Sequence, residues 1–163
     1  MLPLIITILV TLFDQWTKLW VLDSFRLGES IPVIEGFFHF TYVRNPGAAW
    51  GMFGNHNMAL VFLSVIMLAI IAIFRRSFLS DTLDHRLALG LMAGGIIGNL
   101  IDRIKYGYVV DFLDFNLGFY HWPVFNIADS AICVGVGIYV VSSLWTNAHP
   151  LHNQRKKLDV SDA

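Results

Sequence analysis

Two acidic residues stand out by their surroundings. Asp111 follows Val109-Val110 in GYVVDFLDF, and Asp129 opens an otherwise apolar run in FNIADSAICVG. An isolated carboxylate in an apolar setting is costly or takes up a proton. Two such acids close together cannot both ionise easily, so they share a proton. One can then act as base toward water while the other protonates or polarises the group under attack. A helix start also tolerates an acid electrostatically, which would explain Asp129 without chemistry, although Asn126 fits the N-cap of that helix better. The stretch from Gly98 to Phe115 adds Asn99, Asp102, Arg103, Lys105 and Asp114, and the first apolar run carries Asp14 and Lys18.

Other chemistries find little support. There is no HExxH, and His39, His56, His85, His121, His149 and His152 are dispersed without ligand spacing, so neither a metal nor another cofactor is expected. No GxSxG occurs, and the serines lack a glycine elbow or an obvious histidine base. The single cysteine, Cys133, excludes an internal disulfide and a thiolate cluster, and reads as a small apolar filler buried in its helix.

The elements that must position these acids follow from composition. The chain has 163 residues, 56% of them hydrophobic and 14% charged, against roughly 45–50% apolar content in soluble domains. This marks a membrane protein. Its net charge of −1 and scattered basic residues exclude a nucleic-acid groove. Spans are expected at about 1–22, 57–74, 86–104 and 125–146, each near the roughly 20 residues a helix needs to cross. The first has no basic lead and no small-residue cleavage site, so it is expected to be retained. The reading is an all-α polytopic membrane protein with four transmembrane helices and a small extracytoplasmic β-element, one domain over 1–163. Arg75, Arg76 and Arg86, and the tail residues Arg155, Lys156 and Lys157, place both termini in the cytoplasm and segments 23–56 and 105–124 outside. Arg26, Arg44 and Lys105 run against that bias. The first outer segment, with its β-branched and aromatic stretches, reads as two or three short strands with a turn near Asn45-Pro46-Gly47. The second reads as a short connection.

This topology collects the polar residues at one level. Asp14 and Lys18, Asn99, Asp102 and Arg103, and Asn126 and Asp129 all fall at outer helix ends, with Asp111 and Asp114 between them. Charges inside spans are rare unless they pair or face a wet cavity. Asp14 and Lys18, at i and i+4, read as an ion pair that supports the site. Asn99, Asp102 and Arg103 fit either the site or an interfacial helix end with snorkelling charge. Gly94, Gly95 and Gly98 read as close helix contacts. Two non-peptidase readings fit the same residues: a proton-coupled transporter with an aspartate relay, and a membrane scaffold whose acids only pair. The absence of an internal repeat and the outer-edge position of the cluster speak against the transporter.

Five blocks, DQWTK (14–18), RNPGAAW (44–50), GGIIGNLIDR (94–103), GYVVDFLDF (107–115) and FNIADSAICVG (125–135), occur in order and closely resemble the motifs of bacterial lipoprotein signal peptidase, the signal peptidase II family. Trp50 stands where many members carry Phe. The resemblance implies an aspartic endopeptidase of the bacterial cytoplasmic (inner) membrane. It would cut diacylglyceryl-modified prolipoproteins on the N-terminal side of the lipidated cysteine, as a monomer in contact with membrane lipid. It implies Asp111 and Asp129 as the catalytic pair, near the outer face, with Asp114 apart from it. Asp14, Lys18, Asn45, Asn99, Asp102, Arg103 and Asn126 are implied as supporting or substrate-binding residues. The outer segment containing Asn45 is expected to fold over the pair.

Overall fold

A computed structural model describes residues 1–47, 56–78 and 82–148, with backbone alone at 74–78 and 146–148. The elements run α1 (Leu2–Ser24), β1 (Ser30–Ile34), β2 (Phe38–Asn45), α2 (Asn57–Phe78), α3 (Leu83–Tyr106), β3 (Val109–Phe115) and α4 (Ile127–Ala148). Among the described residues, α1, α3 and α4 are long and apolar enough to cross a membrane, and Asn57–Ile73 of α2 forms a shorter apolar helix. The helices overrun the apolar stretches by a few residues, because the backbone ladder continues where side chains turn polar. Leu9, Leu12, Trp16, Phe62, Val141 and Leu144 point outward, an apolar surface that suits lipid and would be a liability in water. Cys133 belongs to this outward surface, so it is not the buried filler its apolar neighbours suggested; neighbours in sequence do not reveal which side of a helix a residue takes.

Helix α3 occupies the centre: 44% of its apolar window is buried, against 17% in both α1 and α4. Its packing is read directly from two sets of contacts. Thr7 Oγ1 donates to Gly90 O (3.3 Å), Thr11 Oγ1 to Gly94 O (3.1 Å) and Gln15 Nε2 to Gly98 O (3.1 Å). The constant advance of four residues on both helices shows that α1 and α3 run parallel. Helix α4 runs the other way, since Gly95 meets Ala128 and Ile132 while Gly135 meets Ala88 and Met92. Glycines at these crossings let backbones approach closely, as the sequence reading anticipated for Gly94, Gly95 and Gly98. Pro3 sits in the first turn of α1, where no amide is needed. At the far end of α3, Gly107 (φ 79°) closes the helix with its amide on Arg103 O at 3.1 Å.

The sheet has the order β1-β2-β3, antiparallel throughout. The reversal joining β1 to β2 lies at Glu35–Phe37, where Gly36 has φ 73° and Phe37 N donates to Ile34 O at 3.0 Å. Asn45-Pro46-Gly47 instead ends β2, its bend closed by Gly47 N on Asn45 Oδ1 at 3.0 Å. The third strand comes from the segment read as a short connection. VVDFLDF is buried at nearly every position, so the alternation that marks a half-buried strand is missing. Val110 and Phe112 of β3 close a small core with Tyr42, Val21 and Phe25, seating the sheet on the end of α1. Leu113 and Phe125 exchange backbone hydrogen bonds at 2.8 and 3.1 Å, which ties the start of α4 to β3.

At Gly95 a Cβ would collide with the Ala128 carbonyl and lie 2.7 Å from Ile132 Cγ1, whereas at Gly137 it would meet nothing within 4 Å. Gly95→Val is therefore expected to lower the thermal midpoint in detergent by an amount equivalent to about 1–3 kcal/mol or more, while Gly137→Ala leaves it unchanged or raises it. Circular dichroism melts of the two variants check the contrast.

Candidate active site

Lys18 lies at the centre of the polar cluster. Its ammonium, 2% exposed, touches Asp14 Oδ2 (2.9 Å) and Asp102 Oδ2 (3.1 Å) and donates to Asn99 Oδ1 (2.9 Å), so all three of its donors are used. Each flanking carboxylate reaches on to a backbone amide. Asp102 Oδ2 accepts from Val110 N at 3.0 Å, one residue before Asp111. Asp14 Oδ1 accepts from Ala128 N at 2.9 Å, one residue before Asp129. Asp102 Oδ1 also takes Gln15 Nε2 at 2.9 Å. One cation thus holds two acids, and each acid fixes the backbone beside one candidate residue. Gly98 makes room for this: a Cβ there would strike the Asp14 carboxylate.

Asn126 joins Asp111 and Asp129. Its Nδ2 donates to Asp111 Oδ1 at 2.6 Å and lies 3.1 Å from Asn99 Oδ1, and its Oδ1 accepts from Asp129 N at 2.9 Å. Asp129 Oδ2 in turn accepts from Asn126 N at 3.3 Å. This reciprocal pair is a capping box at the start of α4, so Asn126 is the N-cap and Asp129 is held by it. Asn99 Nδ2 donates to Asp129 Oδ1 at 2.7 Å, and Asn45 Nδ2 to Asp111 Oδ2 at 2.9 Å. Arg103 lies within electrostatic range of Asp129 and Asp111, and its Nη2 donates to Gly47 O at 3.2 Å. Asp111 is buried at 1% exposure, and Asp129 is half-buried. Burial, with the Asp129 charge beside it, pushes the Asp111 carboxyl up to about 7. A carboxyl that keeps its proton near neutral pH beside a second, more accessible one can divide acid and base roles toward a water.

The two acids and the seven residues expected to support them are brought together here: Asp14, Lys18, Asn45, Asn99, Asp102, Arg103, Asp111, Asn126 and Asp129. Asp114 is not. It projects elsewhere, taking Thr41 Oγ1 at 2.6 Å and His121 Nε2 at 2.5 Å, because residues three apart on a strand fall on opposite faces. Residues 48–55 of the segment expected to cover the pair, Trp50 among them, lie outside the described residues. Sequence reasoning missed Gln15, which bonds Asp102 and Gly98 O. A signal was present: Thr7, Thr11 and Gln15 form a polar stripe of period four on an apolar helix.

Removing Lys18 would leave two buried carboxylates facing each other without their cation. Lys18→Met is expected to cost about 3–5 kcal/mol, read as a large fall in the unfolding midpoint, with Asp114→Asn costing far less. The raised value of Asp111 also sets a pH dependence. Its folded value lies above the roughly 3.9 of the unfolded chain. Its contribution to stability is therefore full below about pH 4 and is lost as pH rises through about 7. Asp111→Asn removes that loss, so the stability of the variant relative to the wild type should rise with pH over this window and level off above it. Parallel melts across pH check the slope.

The comparisons with known proteins give the family. A family model described as signal peptidase (SPase) II matches residues 6–145. The lipoprotein signal peptidase of Syntrophotalea carbinolica is 44% identical over 142 residues, covering 85% of this chain and 88% of that protein. That of Syntrophus aciditrophicus is 47% identical over 142 residues, covering 83% and 88%. A solved structure described as a bacterial membrane enzyme superposes with a TM-score of 0.82 at 35% identity, over 90% of both chains. With a family model spanning most of its length and relatives at this level of identity, the chain belongs to the signal peptidase II family and is a membrane peptidase.

Proposed function

We propose that this protein cleaves the signal peptide from diacylglyceryl-modified prolipoproteins, on the N-terminal side of the lipidated cysteine, with Asp111 and Asp129 as its catalytic pair. The observation that carries the reading is the attachment of both acids to one asparagine, Asn126, with Asp111 buried beside Asp129. One carboxylate takes a proton from a water, and the resulting hydroxide attacks the scissile carbonyl. The other, protonated, hydrogen-bonds the carbonyl oxygen as negative charge develops there. The first then passes its proton to the departing amine nitrogen. The shared proton belongs to the pair rather than to either residue. Arg103, Asn99 and Asn126 orient the pair and stabilise the tetrahedral intermediate, and Asn45 holds Asp111 from the sheet side. Asp14, Lys18 and Asp102 fix the backbone on which both acids stand.

The chain acts in this reading as one domain with four spans. Two parallel spanning helices, α1 and α3, require the chain to recross the membrane between them. The apolar helix between is α2, whose 22 residues extend about 33 Å, close to the roughly 30 Å hydrocarbon core. Arg75, Arg76, Arg86 and the basic tail then lie in the cytoplasm, and the acids and the sheet lie at the outer face. A substrate whose apolar signal helix is in the bilayer and whose lipidated cysteine sits at headgroup level would present its cleavage point at that depth. A single chain contains every residue the reading uses.

The test is cleavage of a diacylglyceryl-modified prolipoprotein and its unmodified form by the purified protein. Wild type is expected to cut only the modified form. Asp111→Asn and Asp129→Asn, shown to be folded, should lose on the order of 10³-fold or more, Asp114→Asn should retain cleavage, and Arg103→Ala should lower turnover of bound substrate. Cleavage surviving in either of the first two would remove the pair from the mechanism. Proton-driven solute uptake by reconstituted vesicles, with no cleavage, would replace the peptidase by a transporter.

A further inference from the structure

Two outer cations play no part in the chemistry above. Arg44 and Lys105 run against the bias that places basic residues inside, and both are exposed. They are nonetheless held in place. Arg44 Nε donates to Tyr42 Oη at 3.0 Å, and its guanidinium carbon lies 4.9 Å from the Tyr108 ring centroid and 5.8 Å from that of Tyr42. Tyr108 stacks on Tyr106 with centroids 5.7 Å apart, and Lys105 Nζ lies 4.8 Å from the Tyr106 ring. The result is one continuous row, Arg44–Tyr108–Tyr106–Lys105, with Tyr42 bracing its first member. Neither cation pairs with a carboxylate among the described residues.

Parts of the row have local explanations. Lys105 stands in the last turn of α3, where a cation suits the helix dipole, and Arg44 covers aromatic surface with its stem. Neither accounts for a guanidinium whose Nε is fixed on a phenol while its plane is braced by two rings. That arrangement holds an exposed guanidinium in one place, where it can make charge-assisted contact with a phosphate. Position supplies the ligand. Tyr106 is the last residue of α3, a helix long and apolar enough to span, so the row lies at the boundary where lipid phosphates lie and where tyrosine is enriched.

We propose that Arg44 and Lys105, braced by Tyr42, Tyr108 and Tyr106, form a docking ledge for the phosphodiester headgroup of an anionic phospholipid. The ledge has a consequence for the site. Successive residues of a strand point to opposite faces, so Arg44 meets the headgroup while Asn45, beside it on β2, holds Asp111 at 2.9 Å. A lipid phosphate on Arg44 thereby sets the depth of Asp111 relative to the headgroup layer. This rests on α3 being a span, and not on the roles assigned to Asp111 and Asp129.

Native mass spectrometry of the purified full chain, in micelles doped with equal phosphatidylglycerol and phosphatidylcholine, tests it. Wild type is expected to retain phosphatidylglycerol preferentially. Arg44→Gln and Lys105→Gln should each lower occupancy of the tightest-held phosphatidylglycerol on the order of fivefold. Arg26→Gln should not, since Arg26 is an exposed outer cation beside Glu29 and outside the aromatic row. Melts run alongside verify folding, and if Arg44→Gln does not fold, Lys105→Gln, whose exposed side chain rests on Tyr106, carries the comparison. Unchanged occupancy in the folded variants, or an equal fall in Arg26→Gln, overturns the ledge. Displacement of the lipid by excess inorganic phosphate overturns the assignment to lipid and leaves a general anion site.

Discussion

The arrangement of this protein depends on one ammonium group. Lys18 is buried among three helices and a strand, and a buried charge is tolerable only when its partners are close and its donors are all used. Asp14 and Asp102 supply the opposite charge and Asn99 takes the remaining donor. Two carboxylates around one cation carry an excess negative charge, which the amides of Ala128 and Val110 and the Gln15 side chain absorb. Lys18 itself is satisfied by α1 and α3, and its two carboxylates find their remaining partners only when the start of α4 and β3 are also in place. The polar core and the positions of Asp111 and Asp129 therefore share the same contacts.

The helix packing serves this constraint. In a lipid environment association relies on close packing and hydrogen bonds rather than on hydrophobic burial. The parallel ladder of Thr7, Thr11 and Gln15 on glycine carbonyls of α3 supplies both. It also fixes the relative height of α1 and α3, which decides whether Lys18 faces Asn99 and Asp102 or misses them by a turn. The sheet caps this assembly. Its backbone bonds between Leu113 and Phe125 hold the start of α4 against β3, and that brings Asn126 to Asp111.

Much of this was legible in the residues. Spans announce themselves by composition, and charged residues within them are so costly that Asp14, Lys18, Asp102 and Asp129 at one level pointed to a shared site. The three-residue spacing of Asn126 and Asp129 already contained the capping box. The strand at 109–115 was hidden because burial on both faces removes its alternation, and the place of the β1–β2 reversal was hidden because Glu35-Gly36-Phe37 carries a weaker turn signal than Asn-Pro-Gly. Cys133 was misplaced for a similar reason, since in a lipid-facing helix apolar neighbours occur on every side.

By itself, then, the sequence determined the solvent, the helices, the family and the set of polar residues that must meet, because hydropathy and residue type are local properties. Only the tertiary structure decided how those residues meet. Which carboxylate holds which amide, that Asp111 faces Asn126 while Asp114 turns to Thr41 and His121, and that Lys18 stands between two acids are matters of strand register and helix height. Helix height arises from contacts between segments some eighty or more residues apart, and strand register from contacts such as Thr41 with Asp114, 73 residues apart, and no local pattern encodes them.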